Sequence, residues 1–123
     1  MGAFEPNKFK LYIFRYVDNV LRGESVNLAI CLVEDSEHPP RFMGFETIQD
    51  WARVQSVFPM ADIESLKSWC GGTARDLQQS NSLLELLSEL ENLSTNITVH
   101  SQPLTSDKSP DVEMRVQAAL HLR

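Results

Sequence analysis

Two apolar runs, KFKLYIFRYV at residues 8–17 and SVNLAICLVE at residues 25–34, stand only a short polar connection apart, and that closeness limits what the chain can fold into. Both runs are rich in aromatic and β-branched side chains, which suit a pleated strand. The connection is too short to hold a crossover helix, so the strands pair antiparallel. Within the first run Phe9, Leu11, Ile13 and Val17 share one face, interrupted by Arg15, while Tyr12, Phe14 and Tyr16 share the other. A strand apolar on both faces belongs in the middle of a sheet covered on both sides.

After a polar turn at residues 34–40, RFMGFETI (41–48) reads as a third, outer strand with Gly44 as a candidate bulge. From Gln49 the pattern becomes helical, first in a short piece at 50–54 halted near Pro59. Asp62 then caps a helix that buries Ile63, Leu66, Trp69 and Cys70; Gly71-Gly72 should end or bend it, with helix resuming at 75–79. Ser82 and Glu85 have capping-box spacing and open a helix whose Leu83, Leu86, Leu87, Leu90 and Leu93 form one stripe. NITVH (96–100) alternates as an edge strand, and SQPLTSDKSP reads as a polar linker. Ser109-Pro110 starts a last helix expected to dock Val112, Val116, Ala119 and Leu120 on the sheet or on the leucine helix. Strands first and helices after predict an α+β fold, a small, mostly antiparallel sheet of three to four strands packed by C-terminal helices, in a single domain over residues 1–123.

Composition narrows the function classes. The 123 residues are 42% hydrophobic and carry a formal charge of −6, with basic residues scattered among acids. Nucleic-acid affinity needs clustered Lys and Arg, so that partner class is disfavoured. No apolar stretch has the length of a signal core or a membrane span, and the expected location is the cytoplasm. Cys31 and Cys70 have no second cysteine or histidine at metal-ligand spacing and read as structural thiols, Cys70 being the more open to exposure beside its glycine pair. His38, His100 and His121 lie far apart and read as solvent-facing. No phosphate loop, dinucleotide fingerprint or nucleophile elbow is present, and no metal or cofactor is expected.

One polar cluster asks for an explanation: Arg15, Asp18, Arg22, Glu24 and Asn27 gather at the mouth of the two apolar strands. In a regular strand Asn27 would oppose Leu28, Ile30 and Leu32 and lie beside Ala29, Cys31 and Val33. A buried amide there must be hydrogen-bonded, since leaving it unpaired costs about 1–3 kcal/mol. Gly23 permits a backbone conformation most residues avoid. Arg15, if covered, needs a carboxylate, and Glu24 is the nearest candidate. The favoured reading is an Arg15–Glu24 ion pair with Asn27 pinning the connection; the competing one is a small polar pocket for a ligand or a partner's backbone. A glutamate flanked by arginines stays ionised, which suits acid–base chemistry poorly. Trp51 and Trp69 are candidate partner contacts, weighed against the commoner role of tryptophan in a core.

The order Arg15-Tyr16-Val17, short loop, Arg22-Gly23-Glu24 and Asn27 leading into an apolar strand resembles a bacterial family catalogued as domain of unknown function 3037, whose members carry RYV and then RGE-x-x-N. Genes of that family often stand beside one for a HipA-like kinase. The resemblance implies a small accessory subunit that regulates or works with such a kinase in a stress or phage-response, toxin–antitoxin-like system. The leading expectation is therefore a non-enzymatic protein-interaction or accessory module. The alternative is a small hydrolase or nuclease using a polar pocket around Glu24.

Overall fold

The structure is a computed structural model that describes residues 6–17, 23–35, 39–92 and 96–123. Strands β1 (Asn7–Tyr16) and β2 (Val26–Glu34) pair antiparallel, from Phe9 opposite Glu34 to Tyr16 opposite Val26. β3 (Arg41–Thr47) pairs with the outer side of β2, and β4 (Ile97–Ser106) with the outer side of β1, both antiparallel. The sheet order is β3-β2-β1-β4, so the two most apolar segments occupy its centre. The helices follow as α1 (Trp51–Val57), α2 (Ile63–Gln79), α3 (Leu83–Glu91) and, after β4, α4 (Pro110–His121). The fold is α+β, as the strand-then-helix pattern predicts.

Both sheet faces are covered because both faces of β1 and β2 are apolar. On one side Tyr12, Phe14, Tyr16, Cys31 and Val33 pack against Val54 of α1, Leu66, Cys70 and Leu77 of α2, and Leu83 and Leu87 of α3. Phe14 meets Phe45 and Trp69 with ring centroids 5.5 and 5.9 Å away, and Tyr16 meets Phe58 edge-on at 5.0 Å. On the other side Phe9, Leu11, Ile13, Ile30 and Leu32 pack beneath α4, which contributes Met114, Ala118 and the following Leu122. Leu11, Ile13, Ile30 and Leu32 are at most 1% exposed, and each such side chain contributes roughly 1.5–3 kcal/mol of burial. The last helix thus docks on the sheet, across it from the leucine helix.

Several local features differ from the sequence reading, each for a physical reason. Gly71-Gly72 does not end α2, because Leu66, Cys70, Thr73 and Leu77 continue one buried stripe through the pair. Asp62 caps that helix as expected, its carboxylate accepting from the Ser65 backbone N–H at 3.2 Å and from Ser65 Oγ at 2.8 Å. Ser82 stands at the N-cap of α3, but its side chain makes no capping bond, so the capping box does not form. Leu83 and Leu87 are buried and Leu86 and Leu90 half-buried against the core, whereas Leu93 lies outside the described residues. The segment read as a polar linker is mostly strand: β4 runs on to Ser106, with Pro103 opposite Lys10. An edge strand admits a proline where its missing N–H would point away from the neighbour.

Gly44 lies on the α4 side of β3, where a Cβ would come within 2.9 Å of Met114 Cε, and Met43 beside it is the extra residue of a β-bulge. None of the described helices is long and apolar enough to cross a membrane.

Candidate functional site

The polar cluster is organised by a second bulge. Phe14 pairs with Ala29 but Arg15 pairs with Asn27, so Leu28 is an extra residue in β2. A bulge turns the side chains beyond it to the opposite face. Leu28 consequently joins Ala29, Cys31 and Val33 on the α1–α3 side, and Asn27 crosses to the α4 side, next to Arg15. This corrects the regular-strand expectation, which put Asn27 among the small residues.

From there a chain of hydrogen bonds runs the length of α4. Arg15 Nε donates to Asn27 Oδ1 at 3.0 Å, and Asn27 Nδ2 donates to the main-chain carbonyl of His121 at 2.8 Å. That carbonyl belongs to the last turn of the helix, where carbonyls lack intrahelical partners. Along the same helix Gln117 Nε2 donates to Glu113 Oε2 at 2.8 Å, and the Gln117 carbonyl oxygen lies 3.2 Å from His121 Nε2. An amide oxygen can only accept, so His121 Nε2 carries the hydrogen. Glu113 and Gln117 are buried, at 4% and 5% exposure. The carboxylate sits in the first turn of α4 and the guanidinium lies near its last, an arrangement the helix dipole favours at both ends. Burial first, and the Arg15 charge second, hold the His121 imidazole below its ordinary value of 6.5. The positions i, i+4 and i+8 of Glu113, Gln117 and His121 beside the Met114, Ala118 and Leu122 stripe were the available signal; the competing stripe of Val112, Val116, Ala119 and Leu120 masked it.

The remaining candidates fall elsewhere. Glu24 is exposed, and no salt bridge joins it to Arg15; the ion pairs among the described residues are Glu34–Arg41, Glu64–Lys67 and Asp107–Lys108, at 3.8–3.9 Å. The expected Arg15–Glu24 pair is therefore replaced by the Arg15–Asn27 bond. Asp18 and Arg22 lie outside the described residues, as does His38. Gly23 has φ 69°, the left-handed conformation expected of it. Trp51 and Trp69 are half-buried and pack against the core. Cys31 and Cys70 are both buried, and burial pushes both thiols up to about 12, which leaves them protonated. His100 is exposed, while His121 is half-buried and engaged, contrary to the solvent-facing expectation for it. Among the described residues no group of three or more His, Cys, Asp and Glu side chains could hold a metal ion.

The surface of α4 is as informative as its buried side. Val112, Ala119 and Leu120 are exposed, Leu120 at 68%, and with half-buried Val116 they form an apolar stripe turned aside from the sheet. The expectation that this stripe docks the helix is thus corrected: Glu113, Met114, Gln117 and Ala118 face the sheet instead.

No curated protein and no solved structure matches the chain. A family model described as protein of unknown function (DUF3037) matches residues 12–106, which take in all of β2, β3, β4 and α1–α3 and stop short of α4. With more than half its length matched, including β2 and the part of β1 from Tyr12 on that carries Arg15, the chain belongs to the DUF3037 family.

Proposed function

We propose that this chain is a non-enzymatic protein-interaction or accessory module, working with a HipA-like kinase in a stress or phage-response system. The observation that carries the reading is the orientation of α4. A helix that docks only within its own domain turns its apolar stripe inward. Here polar side chains take part of the buried face while Val112, Ala119 and Leu120 meet solvent. Single exposed apolar residues are ordinary, but a stripe at helical spacing on a helix held by a polar ladder has the character of an interface.

Co-expression with a HipA-like kinase tests it. The expected result is co-elution as one complex in size-exclusion chromatography, lost on Leu120→Glu in a chain whose melting temperature is unchanged. Separate elution of the two proteins at micromolar concentration overturns the pairing.

A further inference from the structure

On the flank of α4 that adjoins the exposed stripe, a groove of about 460 Å³ opens between α4, the end of β3 and the start of α1. Three arginines line it: Arg53 of α1, Arg115 of α4 and Arg123, two residues beyond α4. None of their guanidiniums takes part in a salt bridge or side-chain hydrogen bond among the described residues. That is unusual company in a chain of formal charge −6, where carboxylates outnumber cations. Two side-chain carboxylates share the groove, those of Glu46 and Asp50, and Asp50 is engaged in capping α1 through the Ala52 N–H at 3.2 Å. Ala118, Ala119 and Leu122 supply an apolar wall.

The groove therefore offers guanidinium donors beside a small apolar surface. Guanidinium binds carboxylate through paired, charge-assisted hydrogen bonds. A polyanion such as nucleic acid would meet Glu46, Asp50 and the overall negative field, whereas one or two carboxylates would not be strongly opposed. We propose that the groove is the seat for a carboxylate-bearing peptide segment of a protein partner, an acidic residue next to an apolar one, with the acid on Arg53 and Arg115 and the apolar side chain on Ala118, Ala119 and Leu122. This deepens the interaction reading and rests on it for its biological setting.

The test is a titration of the isotope-labelled full chain with acetyl-Leu-Glu-Leu-Glu amide at millimolar concentration, followed by NMR of the arginine Nε–Hε and alanine methyl signals. The expected result is saturable shifts at Arg53, Arg115, Ala118 and Ala119, at least about tenfold weaker for the Gln-containing analogue and in Arg115→Glu. Arg53→Glu, on a different element, should weaken binding likewise, and circular dichroism checks that both exposed-site variants keep their fold. Equal binding of the neutral analogue, shifts confined to other surfaces, or no shift at all overturns the proposal. Its failure is separable from that of the kinase pairing: a kinase complex untouched by Arg53→Glu and Arg115→Glu sinks the groove alone. Peptide binding at the groove without kinase co-elution leaves the groove standing and removes the kinase.

Discussion

Asn27→Ala should destabilise this protein out of proportion to the residue's half-buried position, because one side chain on β2 ties both Arg15 of β1 and the last turn of α4. The substitution removes the bond from Arg15 Nε and the bond to the His121 carbonyl. A hydrogen bond to a charged group is worth about 1.5–3 kcal/mol net and a neutral one about 0.5–1.5 kcal/mol. Both bonds here are only part-buried, so water replaces some of what is lost and the low end of each range applies, about 2 kcal/mol together. For a chain of this length that is a fall in melting temperature of about 6–10 °C. Urea unfolding followed through the fluorescence of Trp51 and Trp69 would measure it. In a double-mutant cycle with Arg15→Ala the coupling should be about 1 kcal/mol. Glu24→Gln, at an exposed position, should stay within about 0.5 kcal/mol of the parent. A negligible effect of Asn27→Ala, or a Glu24→Gln effect as large, would refute the assignment and return Arg15 to Glu24.

Three further expectations follow from burial and backbone. A Cβ at Gly71 or Gly72 would meet nothing within 4 Å, so Gly71→Ala and Gly72→Ala should each stabilise α2 by roughly 0.5–1 kcal/mol; a lowered melting temperature would mean the pair is needed for shape. Cys31 and Cys70, whose thiols are pushed up to about 12 by burial, should react with a thiol reagent only as the chain unfolds, and one fast equivalent in the native protein would contradict their placement. His121 is held below 6.5 in the fold, so the unfolded chain takes up the proton first. Stability should be unaffected by this group well above its ordinary value and fall as pH drops through 6.5, until the folded-state imidazole takes up its proton as well, and His121→Gln should remove that portion of the slope. A parent and variant with identical pH profiles in urea unfolding would dispose of it.

What could be read in the sequence was whatever depended on near neighbours. The antiparallel pairing of β1 and β2 follows from a short connection, the two-faced core from the period of β1, and the caps at Asp62 and Ser109 from side chains within three residues of the N–H groups they serve. The misreadings share the opposite property. Asn27 bonds a carbonyl 94 residues away, and nothing local distinguishes Asn27 from Glu24, three residues off, as the partner of Arg15. The bulge at Leu28 carries no glycine or other marker. Its effect is nonetheless to swap the face of every β2 residue before it, and with it the composition of the site. Pro103 reads as a linker until β1 lies beside it, because its tolerance depends on being at an edge.

The same distinction explains why the apolar spacing of α4 points its sheet-facing side the wrong way round, and why that matters for function. On burial alone, turning the helix to cover Val112 and Leu120 would gain roughly 1.5–3 kcal/mol for each side chain. It would also expose or strand the Glu113–Gln117–His121 ladder and break the Asn27 tie to the last turn, losing hydrogen bonds of comparable worth and Met114 and Ala118 packing besides. The polar contacts and the Met114 and Ala118 packing together favour the observed orientation. In some proteins buried polar groups contribute little net stability and instead specify which arrangement is populated. A chain that used α4 only to close its own core would gain from replacing Glu113 and Gln117 with leucine and Leu120 with lysine. Keeping them makes physical sense when the outward stripe has something to bind.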